Sequence, residues 1–210
     1  MILTSECILE NMEKKNIIIE PFNIDQLNPN SYDVRLDNKL QVYTRNEYAF
    51  AYEYNDDVLV QQFKQQNYVE SSCCCDEQTI YYIDAKKSNA TEEIIIPEEG
   101  YILVPGVLYL GSTVEYTETH NIVPTIEGKS SIGRLGIDIH KTAGFGDLSF
   151  CGTWTLEITV TQPVKIYPYM RLAQIIYHEI SGSVGKTYNG KYQGQHGIIA
   201  SKAHEDFECK

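Results

Sequence analysis

The sequence is short of basic residues and of long apolar runs. Its 210 residues contain 17 Lys and Arg against 29 Asp and Glu, a formal net charge of −12. A long nucleic acid needs a basic face that neutralises its phosphates, so this balance argues against a nucleic-acid polymer as partner. A membrane-spanning helix needs about 20 consecutive apolar residues, and no such run is present. The sequence therefore predicts neither a nucleic-acid nor a membrane partner.

A secretory signal and a disulfide framework are also missing. The opening segment, MILTSECILENMEKK, places acidic residues early and lacks the charged-then-apolar order of a signal peptide. Three of the 6 cysteines are consecutive, Cys73, Cys74 and Cys75, and the others stand alone. This spacing suits neither disulfide pairing nor a four-ligand zinc site. We therefore expect a cytoplasmic protein with reduced thiols and no zinc.

The charge is unevenly distributed along the chain. Residues 121–202 carry eight Lys or Arg and five Asp or Glu, whereas the remainder is strongly acidic. A local positive region in an acidic protein favours a small anionic ligand, such as a nucleotide, over a polymer.

Short apolar or alternating runs, separated by turn residues, predict an all-β protein. A short helix is predicted at 5–15, with Thr4 or Ser5 as its cap. The predicted strands are 17–21, 32–36, 40–44, 80–83, 94–97, 101–104, 107–114, 137–140, 153–159, 164–167 and 173–179. Many short strands at this spacing indicate a sandwich, a jelly roll or a closed barrel. At 24.0 kDa we expect a single domain over residues 1–210.

Two segments depart from the strand pattern. Residues 46–79 are rich in Tyr, Gln and Cys and are too short for a second domain, so we interpret them as a surface excursion. Residues 181–210 are rich in Gly and polar side chains, a composition typical of a mobile tail.

A compact polar block, EGKSSIGRLG, spans residues 127–136. Its hydroxyls, backbone N–H groups and two cations suit phosphate oxygens, although an ordinary turn is the alternative. It is not a Walker loop, because Val123 occupies the place of that motif's first glycine and we expect no strand-to-helix context.

Two carboxylates follow this block at regular spacing. Asp147 lies thirteen residues beyond Arg134, and Glu157 ten residues further. In the predicted strand, Glu157 shares a face with Thr153, Thr155 and Thr159. Periodicity alone favours a solvated charge on an outer face, and the alternative places this polar face inside a site.

Five motifs in order resemble the dCTP deaminase family, especially its bifunctional dCTP deaminase/dUTPase members. They are LNPNSYDVRL at 27–36, EGKSSIGRLG at 127–136, HKTAGFGD at 140–147, TLE at 155–157 and KYQGQ at 191–195. The resemblance covers nearly the whole chain. It implies that Glu157 is a catalytic carboxylate rather than a solvated charge.

The resemblance also implies a distorted jelly-roll barrel of the dUTPase-like type, assembled as a homotrimer with sites at subunit interfaces. The tail at about 181–210 would then be a lid over the triphosphate. The implied catalytic residues are Glu157, Asp147, Arg134 and Ser130. The implied substrate-binding residues are Lys129, Ser130, Ser131, Ile132, Gly133, Arg134, Ala143, Asp147, Thr155, Leu156, Glu157, Gln174, Tyr188, Lys191 and Gln195.

The implied chemistry begins with proton transfer by Glu157, which would activate a water at carbon 4 of cytosine and deliver protons to the ring and to ammonia. Ser130 and the backbone near Ala143 would place that water, and Arg134 would keep Glu157 ionised and aligned. Zinc deaminases use H-x-E with P-C-x-x-C, and the chain contains neither pattern. Mg²⁺ bound through the substrate phosphates would assist triphosphate cleavage, with Asp147 orienting the second water.

Gly144 resembles the bifunctional members, whereas deaminase-only members carry a histidine there. The expected product from dCTP is therefore dUMP. Gly146, where isoleucine is usual, and Leu148-Ser149, in place of Pro-Gly, depart from the family pattern. The alternatives are deamination to dUTP only, a plain dUTPase, and a non-catalytic nucleotide-sensing protein. Inhibition by dTTP is usual in the family, and the sequence leaves it open.

Overall fold

The computed structural model describes residues 1–44, 69–70, 79–80 and 83–208. Most of the excursion predicted at 46–79, including Cys73, Cys74 and Cys75, lies outside these residues, as does Cys209. Cys7 and Cys151 are free thiols. None of the helices in the described ranges is long and apolar enough to cross a membrane.

The described chain is mainly β-structure, with two α-helices and two 3-10 turns at Ile24–Gln26 and Ala203–Asp206. The α-helices are α1 (Ser5–Glu13) and α2 (Ser130–Gly133). The strands are β1 (Ile17–Glu20), β2 (Leu27–Asn28), β3 (Ser31–Tyr43), β4 (Val69–Glu70), β5 (Thr79–Ile80), β6 (Thr91–Ile95), β7 (Tyr101–Leu103), β8 (Tyr109–Thr113), β9 (Tyr116–Thr119), β10 (Ile122–Gly128), β11 (Ile137–Asp138), β12 (Cys151–Gly152), β13 (Thr155–Val160), β14 (Val164–Ile166) and β15 (Arg171–Glu179).

Helix α1 begins where the sequence predicts it. Thr4 is extended, and its hydroxyl accepts a hydrogen bond from the backbone N–H of Cys7, which satisfies one free donor of the first turn. Ile8 is fully buried on the inner face. The helix ends two residues earlier than predicted, and Lys15 then adopts a left-handed φ of 59°.

Residues Met1–Val42 and Glu93–Ile199 form one compact unit. Its main antiparallel sheet has the order β10-β15-β3-β8-β13-β11. Helix α2 directly follows β10 and packs against β11, so it brings the two ends of this order together and the sheet nearly closes into a barrel. The predicted all-β barrel with a short N-terminal helix is confirmed.

The core of this unit consists of alternate strand residues whose side chains point inward. In β13, Leu156, Ile158 and Val160 are buried and the intervening residues are half-exposed. The largest completely buried side chains are Tyr32, Tyr177, Ile8, Ile17, Leu36, Leu40, Leu103, Leu156, Ile158, Ile166, Leu172 and Ile175.

A second compact unit comprises Tyr43–Glu92 and Ala200–Lys210. Within it, β4 pairs with β5 in antiparallel register. The backbone N–H of Ser201 donates to the Tyr43 hydroxyl at 3.0 Å, and the Lys86 ammonium lies 5.4 Å from the ring centroid of Phe207. The single domain expected over residues 1–210 stays a prediction.

Tyr177, in β15, is completely buried and its hydroxyl has no hydrogen-bond partner among the described residues. Burial raises the pKa of this phenol far above its usual range, because the ionised form would lose its hydration. An unpaired buried polar group costs about 1–3 kcal/mol. We therefore expect Tyr177→Phe to raise the midpoint of thermal unfolding by about 2–4 °C, measured by circular dichroism.

The matched control is Tyr32→Phe, because the Tyr32 hydroxyl is also buried but accepts a hydrogen bond from the backbone N–H of Asn23 at 2.9 Å. This substitution removes a partner and should lower the midpoint. A Tyr177→Phe variant that melts as early as Tyr32→Phe would contradict the prediction.

Candidate active site

Strand β13 presents Glu157 on its polar face, as its alternation predicts. The Glu157 carboxylate oxygen Oε2 accepts a hydrogen bond from the backbone N–H of Lys141 at 2.8 Å. The Lys141 ammonium donates to the hydroxyl of Thr159 at 2.6 Å on the same face. Glu157 is thus held at the start of the loop 140–147, with its other carboxylate oxygen available for proton transfer. Thr153 differs from the prediction, because it is buried and precedes the strand.

The loop 140–147 is fixed by backbone hydrogen bonds to β10. The N–H of Ile126 donates to the carbonyl of Gly144 at 2.7 Å, and the N–H of Gly146 donates to the carbonyl of Pro124 at 2.9 Å. Both glycines are buried, and Ala143 is exposed. The loop therefore lies flat on β10 and turns Ala143 toward solvent.

Gly144 is required by this close approach. A Cβ at this position would lie 2.6 Å from the carbonyl oxygen of Ile126 and 2.9 Å from Nε2 of His140. The Ile126 backbone is held in β10, and its N–H bonds to the Gly144 carbonyl, so a larger residue would lift the loop from β10.

Asp147 ends the loop and is exposed. Its carbonyl accepts a hydrogen bond from the N–H of Phe150 at 3.0 Å, which closes a turn with Ser149 at a φ of 68°. The Asp147 carboxylate has no hydrogen bond or ion pair to any described residue, so it is available to a ligand.

The polar block at 127–136 begins on β10 and continues as the single turn α2. Ile132 anchors this turn in the core, whereas Ser130, Ser131, Gly133 and Arg134 are exposed. Strand-to-helix context is therefore present, contrary to our expectation, because Ile132 pulls the segment inward into one helical turn. Val123 still excludes a Walker loop.

Lys129 forms an ion pair with Asp33, a carboxylate that is only 2% exposed. Asp33 also accepts a hydrogen bond from the Asn28 amide at 2.8 Å and lies 3.8 Å from a guanidinium nitrogen of Arg171. Sequence reasoning missed Asp33 as a site residue, although it lies in the recognised segment at 27–36. Its signal is a carboxylate between the apolar residues Tyr32 and Val34 of a strand.

The side chain of Gln174 bonds to the segments that carry Lys129 and Asp33. Its amide Nε2 donates to the carbonyl of Gly128 at 3.0 Å, and its Oε1 accepts from the Ser31 hydroxyl at 2.9 Å. The strand register places Gln174 between Glu127 and Asp33. The structure therefore brings Lys129 and Gln174 together.

Arg134 does not reach Glu157 within the chain. No ion pair or hydrogen bond among the described residues joins the two side chains, and Arg134 is exposed at the end of α2. Within one chain, Lys129 pairs with Asp33 in a cation group, whereas Glu157 and Asp147, called here the carboxylate group, lie at the two ends of the loop 140–147.

The C-terminal segment packs against residues 148–153, which lie between Asp147 and β13. The N–H of Tyr188 donates to the carbonyl of Leu148 at 2.8 Å. Gln195 exchanges two hydrogen bonds with Thr153, receiving the Thr153 N–H at its carbonyl and donating its amide Nε2 to the Thr153 carbonyl at 2.6 Å. Lys191 is half-buried. The segment is therefore docked rather than extended, and the Gln195 amide is engaged by protein.

No three His, Cys, Asp or Glu side chains within the described ranges form a group able to hold a metal ion. Mg²⁺ is typically bound by one or two carboxylates together with substrate phosphates. An ion held mainly through substrate phosphates needs no such group in the protein.

The nearly closed antiparallel barrel is the dUTPase-like fold that the sequence resemblance implies. A family model described as dCTP deaminase-like matches residues 2–180, and the chain belongs to this family.

Relatives named "dCTP deaminase, dUMP-forming" are similar over almost the entire chain. The relative from Cytophaga hutchinsonii is 44% identical over 206 residues, which cover 96% of this chain and 99% of that protein. The relative from Hathewaya histolytica is 44% identical over 208 residues, 99% of this chain and 100% of that protein. The relative from Leptospira biflexa is 43% identical over 210 residues, 100% of both.

A crystal structure of 2'-deoxycytidine 5'-triphosphate deaminase from Agrobacterium tumefaciens matches with a TM-score of 0.53. The match covers 85% of this chain and 48% of that chain, at 20% identity. At this identity the likeness supports the fold alone.

Proposed function

We propose that the chain deaminates dCTP and cleaves its triphosphate, producing dUMP for nucleotide metabolism. The observation that carries the proposal is the match over 96–100% of the chain to relatives named dCTP deaminase, dUMP-forming. In this reaction one water oxygen becomes O4 of uracil and the amino group leaves as ammonia. A second water oxygen bonds to the α-phosphorus as the bond to the bridging oxygen breaks, which releases pyrophosphate.

Glu157 is the proposed proton carrier for deamination. Its fixed oxygen accepts from the Lys141 N–H, which leaves the other oxygen to take a proton from water and pass it to the ring and the amino group. Thr155 shares the face of Glu157 on β13 and would line the base pocket, whereas the Leu156 side chain is buried in the core and could contribute only its backbone.

Asp147 is the proposed residue for the second water. Its carboxylate is exposed and unpaired among the described residues, ten residues before Glu157. Mg²⁺ held through the phosphates would supply neutralisation of the charge that develops on the phosphate oxygens. Asp147 would orient the water on the α-phosphate side.

The proposed assembly is a homotrimer in the cytoplasm with sites between subunits. The separation of Arg134 from Glu157 supports this arrangement, because a cation that aligns Glu157 would then have to come from another copy. Exposed apolar side chains accompany both groups, with Leu135 44% and Phe145 66% exposed. Sedimentation velocity tests the proposal by measuring whether the mass is three times 24.0 kDa.

The decisive experiment is product analysis after incubation of the protein with dCTP and Mg²⁺. Ammonia with dUMP is the expected result. Ammonia with dUTP would restrict the chain to deamination. Absence of ammonia would contradict the proposal and leave a plain dUTPase, which hydrolyses added dUTP, or a protein that only binds nucleotides.

The docked C-terminal segment is proposed to close over the triphosphate. Truncation after Ser181 should leave a folded protein, because the removed part contributes no strand to the main sheet. We expect the KM for dCTP to rise about tenfold or more, because Tyr188, Lys191 and Gln195 are lost from the site. Initial rates measured over a range of dCTP concentrations provide the test.

A truncation after Ile199 is the matched control, because it keeps all three of these residues. Its KM should stay near that of the full chain. Equal KM values for the two truncations would contradict the role given to the segment at 188–199.

A further inference from the structure

Trp154 is the single tryptophan of the chain and is held rigidly between β12 and β13. Its indole N–H donates to the hydroxyl of Thr117 at 2.8 Å, and its backbone N–H donates to the hydroxyl of Thr113 at 2.9 Å. Trp154 is 7% exposed, and the two threonines are 2% exposed or less. Because one edge of the ring is fixed by a buried hydrogen bond, the position of the opposite edge is determined.

The opposite edge of the indole lies directly beneath Gly146, the residue before Asp147. A Cβ at Gly146 would lie 2.4 Å from Cη2 of Trp154, 2.9 Å from Cγ of Pro124 and 3.1 Å from the Pro124 carbonyl oxygen. The φ of Gly146 is outside the left-handed region, so its backbone conformation permits alanine. Contact with the ring above all, and with Pro124, rather than conformation, is therefore what requires glycine.

The C-terminal segment meets the same part of the structure. The rings of Phe150 and Trp154 have centroids 5.0 Å apart, and those of Phe150 and Tyr188 lie 6.1 Å apart. Thr153, the neighbour of Trp154, carries the hydrogen bonds to Gln195. A shift of the indole would therefore displace both the loop that carries Asp147 and the docked C-terminal segment.

We propose that Trp154 is a positioning residue for triphosphate cleavage, with its indole as the support that sets the height of Asp147 above β10. The inference rests on the proposed function, since it assigns Asp147 to the second water. Glu157 is fixed at the opposite end of this loop from Asp147, by the Lys141 N–H and by its backbone N–H to the carbonyl of Ile139 at 2.9 Å. Trp154 therefore acts on cleavage more than on deamination.

Gly146→Ala tests the contact, because its methyl group must displace the loop or the ring. A displacement of about 1 Å costs on the order of a hundredfold in rate. We expect the ratio of dUMP to dUTP formed from dCTP to fall at least tenfold, while ammonia release falls less than threefold. The emission spectrum of the single tryptophan should also change, which reports on the contact without turnover.

The double variant Gly146→Ala/Trp154→Phe supplies the rescue. A phenyl ring is smaller than an indole and leaves room for the methyl group, so the product ratio should return to within about threefold of the wild-type ratio. Ser88→Thr is the control, because it adds a methyl group at an exposed position outside the site and the C-terminal segment. It should leave the product ratio and the emission spectrum unchanged.

Circular dichroism establishes whether each variant is folded. If the double variant does not fold, the single variant Gly146→Ala still decides the test. A Gly146→Ala protein with the wild-type product ratio, or a folded double variant no better than the single one, would overturn the positioning role. A wild-type protein that yields only dUTP would instead refute the cleavage step of the proposed function and, with it, this inference. In that case, an altered emission spectrum in Gly146→Ala would still show the contact between residue 146 and the Trp154 indole, without a role in cleavage.

Discussion

Glu157→Gln is expected to lower ammonia release from dCTP by about a hundredfold or more, because an amide cannot accept and return the protons that deamination moves. The substitution keeps the shape of the side chain. Its amide oxygen can still accept the hydrogen bond from the N–H of Lys141, now 2.8 Å from Oε2. Nucleotide binding should therefore persist, and calorimetric titration with dCTP measures it beside the ammonia assay.

Glu98→Gln is the control for this experiment, since it makes the same chemical change at an exposed position between β6 and β7. It should leave ammonia release unchanged. Deamination by Glu157→Gln at more than a few per cent of the wild-type rate would show that another group carries the protons.

The class of the fold follows from the sequence because strand alternation and turn residues recur along most of the chain. The two-residue strands β2, β4 and β12 were missed, and so were two longer strands, β9 and β10, each for an identifiable reason. Strand β9 reads as polar, yet Thr117 and Thr119 are buried and replace the apolar residues that a half-buried strand usually shows. Strand β10 contains Pro124, which argues against a strand except at an edge. β10 does lie at the end of the sheet order.

Strand β3 shows a different limit of the sequence pattern. Two strands were predicted at 32–36 and 40–44, because the polar run Asp37-Asn38-Lys39 interrupts the alternation. The structure instead contains one strand, Ser31–Tyr43, whose register with β8 shifts between Leu36 and Leu40. An irregularity of this kind absorbs extra residues without ending the strand.

The site was only partly predictable for physical reasons. Alternation identifies the face of the strand on which Glu157 lies, but it does not show whether that face meets solvent or lines a site. The order of the five motifs that resemble the family indicated a site. The position of Asp33 in an apolar strand was a signal in the sequence, but its pairing with Lys129 could not be foreseen, because the two residues are far apart in sequence. The docking of the tail depends on side-chain amides of Gln193 and Gln195 that bind backbone groups, which composition does not reveal.

Asp147→Asn is expected to change the product of the reaction rather than to stop it. If Asp147 orients the water that attacks the α-phosphate while Glu157 moves the protons at the base, the variant should release ammonia and accumulate dUTP in place of dUMP. The carboxylate has no partner among the described residues, so its removal breaks no hydrogen bond of the fold. Some loss of deamination is also expected, because a misplacement of about 1 Å can cost on the order of a hundredfold in rate.

The ratio of dUTP to dUMP is therefore the diagnostic quantity for Asp147→Asn, measured by chromatography after incubation of each protein with dCTP and Mg²⁺. Asp138→Asn is the control, since it makes the same chemical change at an exposed carboxylate on β11, outside the loop 140–147. Its product ratio should match the wild-type ratio. An unchanged dUMP fraction in Asp147→Asn would show that the second water is oriented by another group. Because Glu157 lies on β13 beside the start of the loop and Asp147 lies at its end, two distinct steps should separate here, with the product shifted and ammonia release retained.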